Sequence, residues 1–190
     1  MRFACVRVEH LPTRLEASLQ PELANQPLVV LRAWNDHVLD AAPDVETSGI
    51  RPGDSRRRVE QLCPQAVILP AREALYQSRH EAIQSVLAQY ASAVETGALG
   101  EFFIELAALS RTFPSEQALA EQIVTQVRQA TGLMPAIGVA SNKFTASQAA
   151  HQAALASQVL AVSKGDERRF LSSLPLTALP NPPVRSSTGC

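Results

Sequence analysis

The sequence predicts a mixed α/β fold of the α+β class: a ferredoxin-like βαββαβ sheet into which a small α/β module is inserted. Along the 190 residues, short segments of β-branched and apolar residues alternate with segments whose apolar residues recur at helical spacing. When residues 11–71 are set aside, the order is strand, helix, strand, strand, helix, strand. Residues 11–71 contain strands and helices of their own, so we expect them to form a module that follows the first strand.

The first strand and the inserted module are predicted as follows. The segment "RFACVRVE" alternates in part and predicts a strand over 2–9. "TRLEASLQPELANQ" is helical until Pro21, which cannot continue a helix. "GIRPGD" has the residues of a turn. The remaining segments are predicted as strands over 27–33 and 37–42, a short helix over 55–63 that stops before Pro64, and a strand over 65–70.

The second half contains the longest helical pattern, from Arg72 to about Val94. "VETGALGEFFIEL" predicts two strands joined by a turn that contains glycine. A further helix starts at the cap residue Ser115 and stops at Gly132. The chain then predicts a strand over 135–140, an alanine-rich helix over 141–158, a last strand over 159–162, and a short helix with a turn over 167–179.

The cysteines and histidines do not form a recognisable site in the sequence. Cys5, Cys63 and Cys190 are odd in number and far apart, so they predict neither a metal site nor a disulfide framework. Cys5 and Cys63 lie in apolar runs and are interpreted as reduced core residues. A surface position is favoured for each of the scattered histidines, which are His10, His37, His80 and His151.

Composition and charge indicate where the protein is located and which class of partner it binds. The net charge is −1, so the whole chain creates no strong field for polyanions. The run Arg56–Arg58 is a candidate basic patch, although a solvated helix face is the simpler interpretation. The first ten residues are too charged for a signal peptide, and no apolar run is long enough to span a membrane. We therefore expect a cytoplasmic protein.

Five segments, in this order, resemble the Y-family (UmuC/DinB-type) translesion DNA polymerases. They are "LEASLQPELANQPLVVL", "SGIRPGDSRRRVEQLCPQAVILP", "YQSRHEAIQSVLAQYASAVETGALGEFFIEL", "ATGLMPAIGVASNKFTASQAA" and "FLSSLPLTALP". The resemblance implies a palm formed by residues 1–10 and 72–162, fingers over 11–71, and the start of a thumb over 163–180. Residues 181–190 are rich in proline and small polar residues, and we expect them to be disordered.

The resemblance also implies that the catalytic acids have been lost. The family uses two magnesium ions held by an Asp on the first strand and by an Asp-Glu pair on the palm hairpin. At these positions the sequence has Arg7, Gly100 and Glu101. A guanidinium cannot coordinate a cation, so we predict no metal and no cofactor here. A displaced site that uses Glu9, Glu101 and Glu105 is the alternative, with Arg7 between its ligands.

The positions that the family uses for nucleotide and DNA are also altered. By resemblance, Pro43 and Glu46 replace the Tyr and Arg that hold the triphosphate, and Ala154 replaces a Lys. Pro12 replaces the aromatic residue that gates the sugar. Asn142 and Lys143 remain, either as a weak contact to the DNA backbone or as a helix cap beside a solvated lysine.

The sequence therefore predicts a non-catalytic, ImuB-like homologue with an accessory or protein-binding role in DNA repair and translesion synthesis. The expected partners are proteins of the DNA damage response, such as a polymerase subunit, a recombinase or a sliding clamp. DNA binding is expected to be weak at best, and no membrane is involved. Two alternatives stay open: an active nucleotidyltransferase with a rearranged metal site, and an inactive remnant that only folds.

Overall fold

The computed structural model describes residues 1–106, 113–156 and 158–175 of the chain. These residues form two sheets and the helices that cover them. Among the helices of these ranges, none has both the length and the apolar character needed to cross a bilayer. The predicted α+β class is confirmed. The tail over 181–190 and the last part of the predicted thumb lie outside the described residues.

The larger sheet has five strands in the order β5-β6-β1-β7-β8. Its central strand, β1, is antiparallel to both neighbours, β6 and β7. Within this sheet, strands β1, β5, β6 and β7 thus have the predicted ferredoxin-like arrangement. Strand β8 adds to the β7 edge in parallel orientation. The strands are β1 (Phe3–Arg7), β5 (Val94–Thr96), β6 (Glu101–Glu105), β7 (Ala136–Ala140) and β8 (Val159–Ala161).

Two long helices, α4 (Glu73–Leu87) and α5 (Glu116–Thr131), bury their apolar stripes against one face of this sheet. Helix α5 begins as predicted, because the Ser115 hydroxyl accepts a hydrogen bond from the Ala118 amide at 3.1 Å. It ends at Gly132, which adopts φ +73, a conformation that glycine tolerates best.

Helix α6 (Lys143–Ala156) covers the opposite face of the sheet. Strand β7 alternates large and small residues, so that Ile137 and Val139 enter the α4–α5 core while Gly138 faces α6. A Cβ atom built on Gly138 would lie 2.1 Å from the Ala146 carbonyl oxygen. The alanine-rich helix therefore packs backbone to backbone on the strand, a spacing that larger side chains would prevent.

The smaller sheet contains strands in the order β3-β2-β4, and α3 packs against it. Strands β2 and β3 are antiparallel, whereas β4 is parallel to β2. Its apolar core is separate from that of the larger sheet and includes Val29, Val38, Ile50 and Val59. The elements are β2 (Leu28–Leu31), β3 (Val38–Ala41), α2 (Pro43–Thr47), α3 (Arg56–Leu62) and β4 (Val67–Pro70).

Helix α1 (Leu11–Leu19) links the two sheets through buried polar groups, and a 3₁₀ turn follows it at Pro21–Leu23. On one side, the Asp40 carboxylate on β3 accepts hydrogen bonds from the Thr13 amide and hydroxyl at 3.0 and 2.9 Å. On the other side, the buried Glu16 carboxylate accepts from the Tyr76 hydroxyl at 2.6 Å and pairs with Arg72. The division into palm and fingers stays a prediction, but α1 connects the two sheets by these bonds.

Two details of the predicted elements are wrong. The helix predicted from Arg72 to about Val94 ends at Leu87, whereas the strand predicted to begin at Val94 is confirmed as β5. The five-residue helix α2 was not predicted. The short helix α7 (Glu167–Ser173) lies where the sequence placed one.

Candidate functional site

The candidate site lies where the carboxyl end of β1 adjoins the amino end of β6. Arg7 and Glu101 are direct partners across these antiparallel strands. The Arg7 Nη1 atom is 3.3 Å from the Glu101 Oε1 atom, so the two side chains form an ion pair. The side chains of Arg7 and Glu101 are 32% and 15% exposed, which places the pair at the edge of the core, open to a cleft.

Arg7 forms a second ion pair with Glu9, whose Oε1 atom lies 2.9 Å from the Arg7 Nε atom. The same Glu9 oxygen is 2.8 Å from the His151 Nδ1 atom on α6. Burial alone would raise the pKa of Glu9, but the His151 hydrogen bond and the Arg7 charge lower it below its usual value. Glu9 is therefore an ionised carboxylate that shares the Arg7 guanidinium with Glu101.

Glu101 is held by further donors. The Ser147 hydroxyl on α6 donates to its Oε1 atom at 2.8 Å, and the Ala98 amide lies 3.4 Å from its Oε2 atom. The Cys5 sulfur is 3.9 Å from Oε1. Burial, followed by the nearby Glu101 charge, raises the pKa of the Cys5 thiol, which therefore stays protonated. Both carboxylates near β1 thus have their oxygens directed at protein donors.

Gly100 precedes Glu101 in a conformation that suits glycine. Its φ is +84, and a Cβ atom built there would lie 2.8 Å from the Val8 carbonyl oxygen. The Gly100 amide donates to the His80 Nδ1 atom at 3.0 Å. His80 stacks on Phe102, with ring centroids 4.3 Å apart. A side chain at position 100 would be strained by the backbone and crowded by Val8.

A cleft of about 280 Å³ opens between the two sheets, and several of the predicted site residues line it. Arg7, Pro12, Glu46 and Glu101 share this cleft with Glu9. A neighbouring cleft of similar volume is lined by Pro43, Glu46 and Ala154, again with Glu9. The structure therefore brings together residues that lie far apart in the sequence.

Three predicted residues lie elsewhere or are already engaged. Glu105 is exposed at the far end of β6, opposite Phe3, so the displaced site does not include it. The Asn142 Oδ1 atom accepts from the Thr145 amide at 2.8 Å and caps α6. Lys143 pairs with Glu95 on β5. Within the described ranges, no three His, Cys, Asp or Glu residues are grouped closely enough to hold a metal ion.

The sequence did not reveal several residues that build the site. His80 was expected at the surface but is only 7% exposed, and the prediction is wrong for it. The sequence did contain a signal for the burial of His80, because His80 lies four residues after Tyr76 and three before Ile83, on the buried stripe of α4. Ser147 and His151 gave no signal, since the alanine-rich α6 has almost no amphipathic pattern. Cys5 and Cys63 are buried and unpaired, as predicted.

Solved structures with a similar fold are Y-family DNA polymerases. The crystal structure of DinB from Sulfolobus solfataricus superimposes with a TM-score of 0.82 at 23% identity, covering 95% of this chain and 54% of that one. An insertion ternary complex of Dbh DNA polymerase gives a TM-score of 0.79 at 22% identity, with 95% and 54% covered. The class of fold is therefore that of about half of each of these polymerase chains.

Sequence comparison gives the family. Residues 7–151 match the model of the IMS (impB/mucB/samB) family, and the chain belongs to this family. DNA polymerase IV of Desulfatibacillum aliphaticivorans is 30% identical over 160 residues, which are 84% of this chain and 40% of that protein. DNA polymerase IV of Pseudoalteromonas translucida is 29% identical over 180 residues, covering 94% and 51%. Protein ImpB of Salmonella typhimurium is 29% identical over 149 residues, covering 77% and 35%. The chain spans about half the length, or less, of these relatives.

Proposed function

We propose that this chain is a non-catalytic Y-family polymerase homologue with an accessory, protein-binding role in DNA repair and translesion synthesis. The observation that carries the proposal is the pairing of Arg7 with Glu101 and Glu9, at 3.3 and 2.9 Å. The two carboxylates nearest the family's metal positions thereby share one guanidinium of the protein itself. The expected cytoplasmic location is part of the same proposal.

The residues present do not fit a pair of divalent ions. Two such ions carry roughly four positive charges, and their repulsion has to be offset by several carboxylates. Here Arg7 pairs with both Glu9 and Glu101 and adds a fixed positive charge between them. Asp40 and Glu46 also line the cleft, but Asp40 already accepts two hydrogen bonds from Thr13. A magnesium ion would have to displace a guanidinium from both ligands and then remain beside it.

The backbone conformation at Gly100 also supports a non-catalytic site. An aspartate at that position would require a non-glycine residue at φ +84 with its Cβ atom 2.8 Å from the Val8 oxygen. The hairpin is thus built for glycine, with its amide held by His80. This geometry favours a site whose residues have a structural role, and not a metal site from which only one acidic residue is missing.

The cleft is also poorly suited to a triphosphate. Glu46 lines both parts of the cleft, and its carboxylate would repel phosphate oxygens. Pro43 and Ala154 offer no charged or hydrogen-bonding side chain there. Arg14 and Arg51 also line the neighbouring cleft, but the side chains that the family uses for the triphosphate are replaced at all three matching positions. The fold is thus retained without these side chains, which favours a role in binding proteins.

Thermal unfolding tests the non-catalytic part of the proposal. We expect millimolar manganese with a deoxynucleoside triphosphate to leave the unfolding temperature of the chain unchanged, because a ligand that does not bind the native state cannot stabilise it. An active DinB-type polymerase measured in the same buffers is the positive control. A rise that requires both metal and nucleotide, and that Glu101→Gln removes, would favour the alternative of a rearranged metal site.

Affinity capture tests the accessory part. The tagged chain is used as bait in extracts of cells exposed to DNA damage and of untreated cells. We expect a polymerase subunit, a recombinase or a sliding clamp to be enriched in the damaged sample. If no protein of the damage response is enriched, the alternative of an inactive remnant gains support and the accessory role loses it.

A further inference from the structure

The end of helix α6 exposes a leucine at the wall of the neighbouring cleft, which is also lined by Pro43, Glu46 and Ala154. This residue, Leu155, is 75% exposed, and most of the residues that α6 buries are alanines. The packing of α6 on the larger sheet therefore does not require a leucine at this position. We call this space the Leu155 cleft.

Leu155 is not the only apolar residue of the cleft. Pro43, which is exposed at the start of α2, and Ala154 line the same space of about 280 Å³. Single leucines are common on protein surfaces, whereas apolar residues grouped around a concave space are typical of a binding site. The Leu155 cleft can therefore receive an apolar side chain of a partner.

Two arginines of the cleft pair with no acidic side chain of the described residues. The Arg51 guanidinium donates to the backbone carbonyl oxygens of Glu46 and Ile50 at 2.6 and 2.8 Å, which orient it without neutralising it. The half-buried Arg14 side chain forms no ion pair or hydrogen bond within residues 1–106, 113–156 and 158–175. Both guanidiniums are therefore available to an acidic group.

The other charges of the cleft favour a single carboxylate over a polyanion. The two histidines of the lining each contact a carboxylate: His151 contacts that of Glu9. His10 contacts that of Asp40. Glu46 is the remaining acid of the lining, and its charge offsets one of the two guanidiniums. A triphosphate carries several negative charges, whereas an Asp or Glu side chain carries one, so this balance suits one carboxylate.

We propose that the Leu155 cleft binds a segment of a partner protein in which an acidic residue lies close to a large apolar one. The apolar side chain packs on Leu155 and Pro43. The acidic side chain pairs with Arg51, and Arg14 adds to the positive field. Burial of the apolar side chain supplies affinity, and the ion pair supplies selection among segments. This docking site rests on the proposed protein-binding role and names the surface that performs it.

Random peptides displayed on phage test the chemistry of the partner. The whole chain is the bait, and phage that also bind the Leu155→Asp variant are removed. We expect the remaining peptides to be enriched in an acidic residue that lies within a few positions of a large apolar one. The proposal is overturned if no peptide remains, or if the remaining peptides are basic or lack acidic residues.

The most enriched peptide is then titrated with the whole chain, and fluorescence anisotropy gives the dissociation constant. Leu155→Ser should raise Kd at least about tenfold, and Arg51→Gln about fivefold. Exchange of the charges is the sharper measurement: Arg51→Glu should lose the peptide, and a peptide whose acidic residue is replaced by lysine should bind this variant again. Because both residues are exposed, we expect these variants to keep the fold.

Leu62→Ser and Arg128→Gln are the matched controls, because both residues are exposed and neither lines the cleft, so Kd should not change. Equal affinity of the wild type and Leu155→Ser would overturn the docking site. Displacement of the peptide by a deoxynucleoside triphosphate, or dimerisation that Leu155→Ser abolishes, would assign the cleft to those occupants instead. Failure of the non-catalytic proposal is detected separately, as stabilisation that requires both metal and nucleotide.

Discussion

At the residue scale, Gly100 shows how backbone conformation limits what the site can contain. Its φ of +84 is strained for any L side chain, and the Val8 carbonyl oxygen occupies the space that a Cβ atom needs. We predict that Gly100→Ala lowers the free energy of unfolding by about 2 kcal/mol or more, measured by urea denaturation. Gly49→Ala is the control, because Gly49 has φ +87 with no atom within 4 Å of a built Cβ. Equal losses for the two variants would contradict the crowding by Val8.

His80 gives a pH dependence at the same scale. Burial lowers the pKa of His80 below its ordinary value of 6.5. The folded protein therefore binds fewer protons than the unfolded chain, and the stability supported by neutral His80 is present above pH 6.5 and is lost as the pH falls below it. His80→Asn keeps an acceptor for the Gly100 amide without a titrating ring. We expect this variant to lose less stability than the wild type between pH 7 and about 5, measured by urea denaturation.

The pH dependence of stability that His10 contributes has the opposite sign. Although burial opposes it, the hydrogen bond and charge of Asp40 raise the pKa of His10 above 6.5. Its contribution to stability is therefore fully present below pH 6.5 and is lost as the pH rises through the folded pKa. We predict that His10→Asn, which suits the φ of +52 there, reduces stability more at low pH than at high pH. The same effect at every pH would mean that the His10–Asp40 contact does not depend on charge.

At the element scale, the packing of α6 on β7 fixes the position of Ser147 and His151 relative to the site. A Cβ atom on Gly138 would lie 2.1 Å from the Ala146 oxygen and 2.2 Å from the Ala150 nitrogen. We predict that Gly138→Ala lowers the free energy of unfolding by about 3 kcal/mol or more, because helix or strand must move. Gly165→Ala serves as the control in the same unfolding experiment, because Gly165 has no atom within 4 Å of a built Cβ and the variant is affected only by its φ of +99. A smaller loss for Gly138→Ala than for the control would contradict this packing.

The elements also show what periodicity can and cannot predict. The apolar spacing from residue 72 onwards predicted a helix to about Val94, but the chain leaves the helix after Leu87. Tyr90 and Val94 still pack against the main core, from a turn and from β5. Apolar residues at helical spacing can therefore pack against a core from a helix or from a turn and a strand. Helix α2 is too short for any period, and only Pro43 at its first position indicated it.

At the scale of the whole molecule, the order of the segments predicted the larger sheet correctly, because short strands and the helices between them have few ways to pair. The sequence also placed Arg7 opposite Glu101, through the resemblance rather than through any local signal. The sequence could not show that Ser147 bonds to Glu101 or that His151 bonds to Glu9. Contacts between α6 and the ends of β1 and β6 depend on packing. The burial of His80 follows from the same packing.

The proposed absence of catalysis depends on the charges of the side chains in the cleft between the two sheets. Glu9 and Glu101 are the carboxylates that pair with Arg7, and its guanidinium lies between them. Arg7→Asp would remove the cation and add a ligand without changing Gly100, so it is the variant expected to gain affinity for a divalent ion.

Calorimetric titration of manganese into the whole chain tests whether Arg7 excludes metal from the cleft. We predict no heat of binding for the wild type at millimolar manganese, and measurable uptake by Arg7→Asp. Manganese binding by the wild type that Glu101→Gln abolishes would contradict the assignment of Arg7 as the group that excludes metal from the cleft.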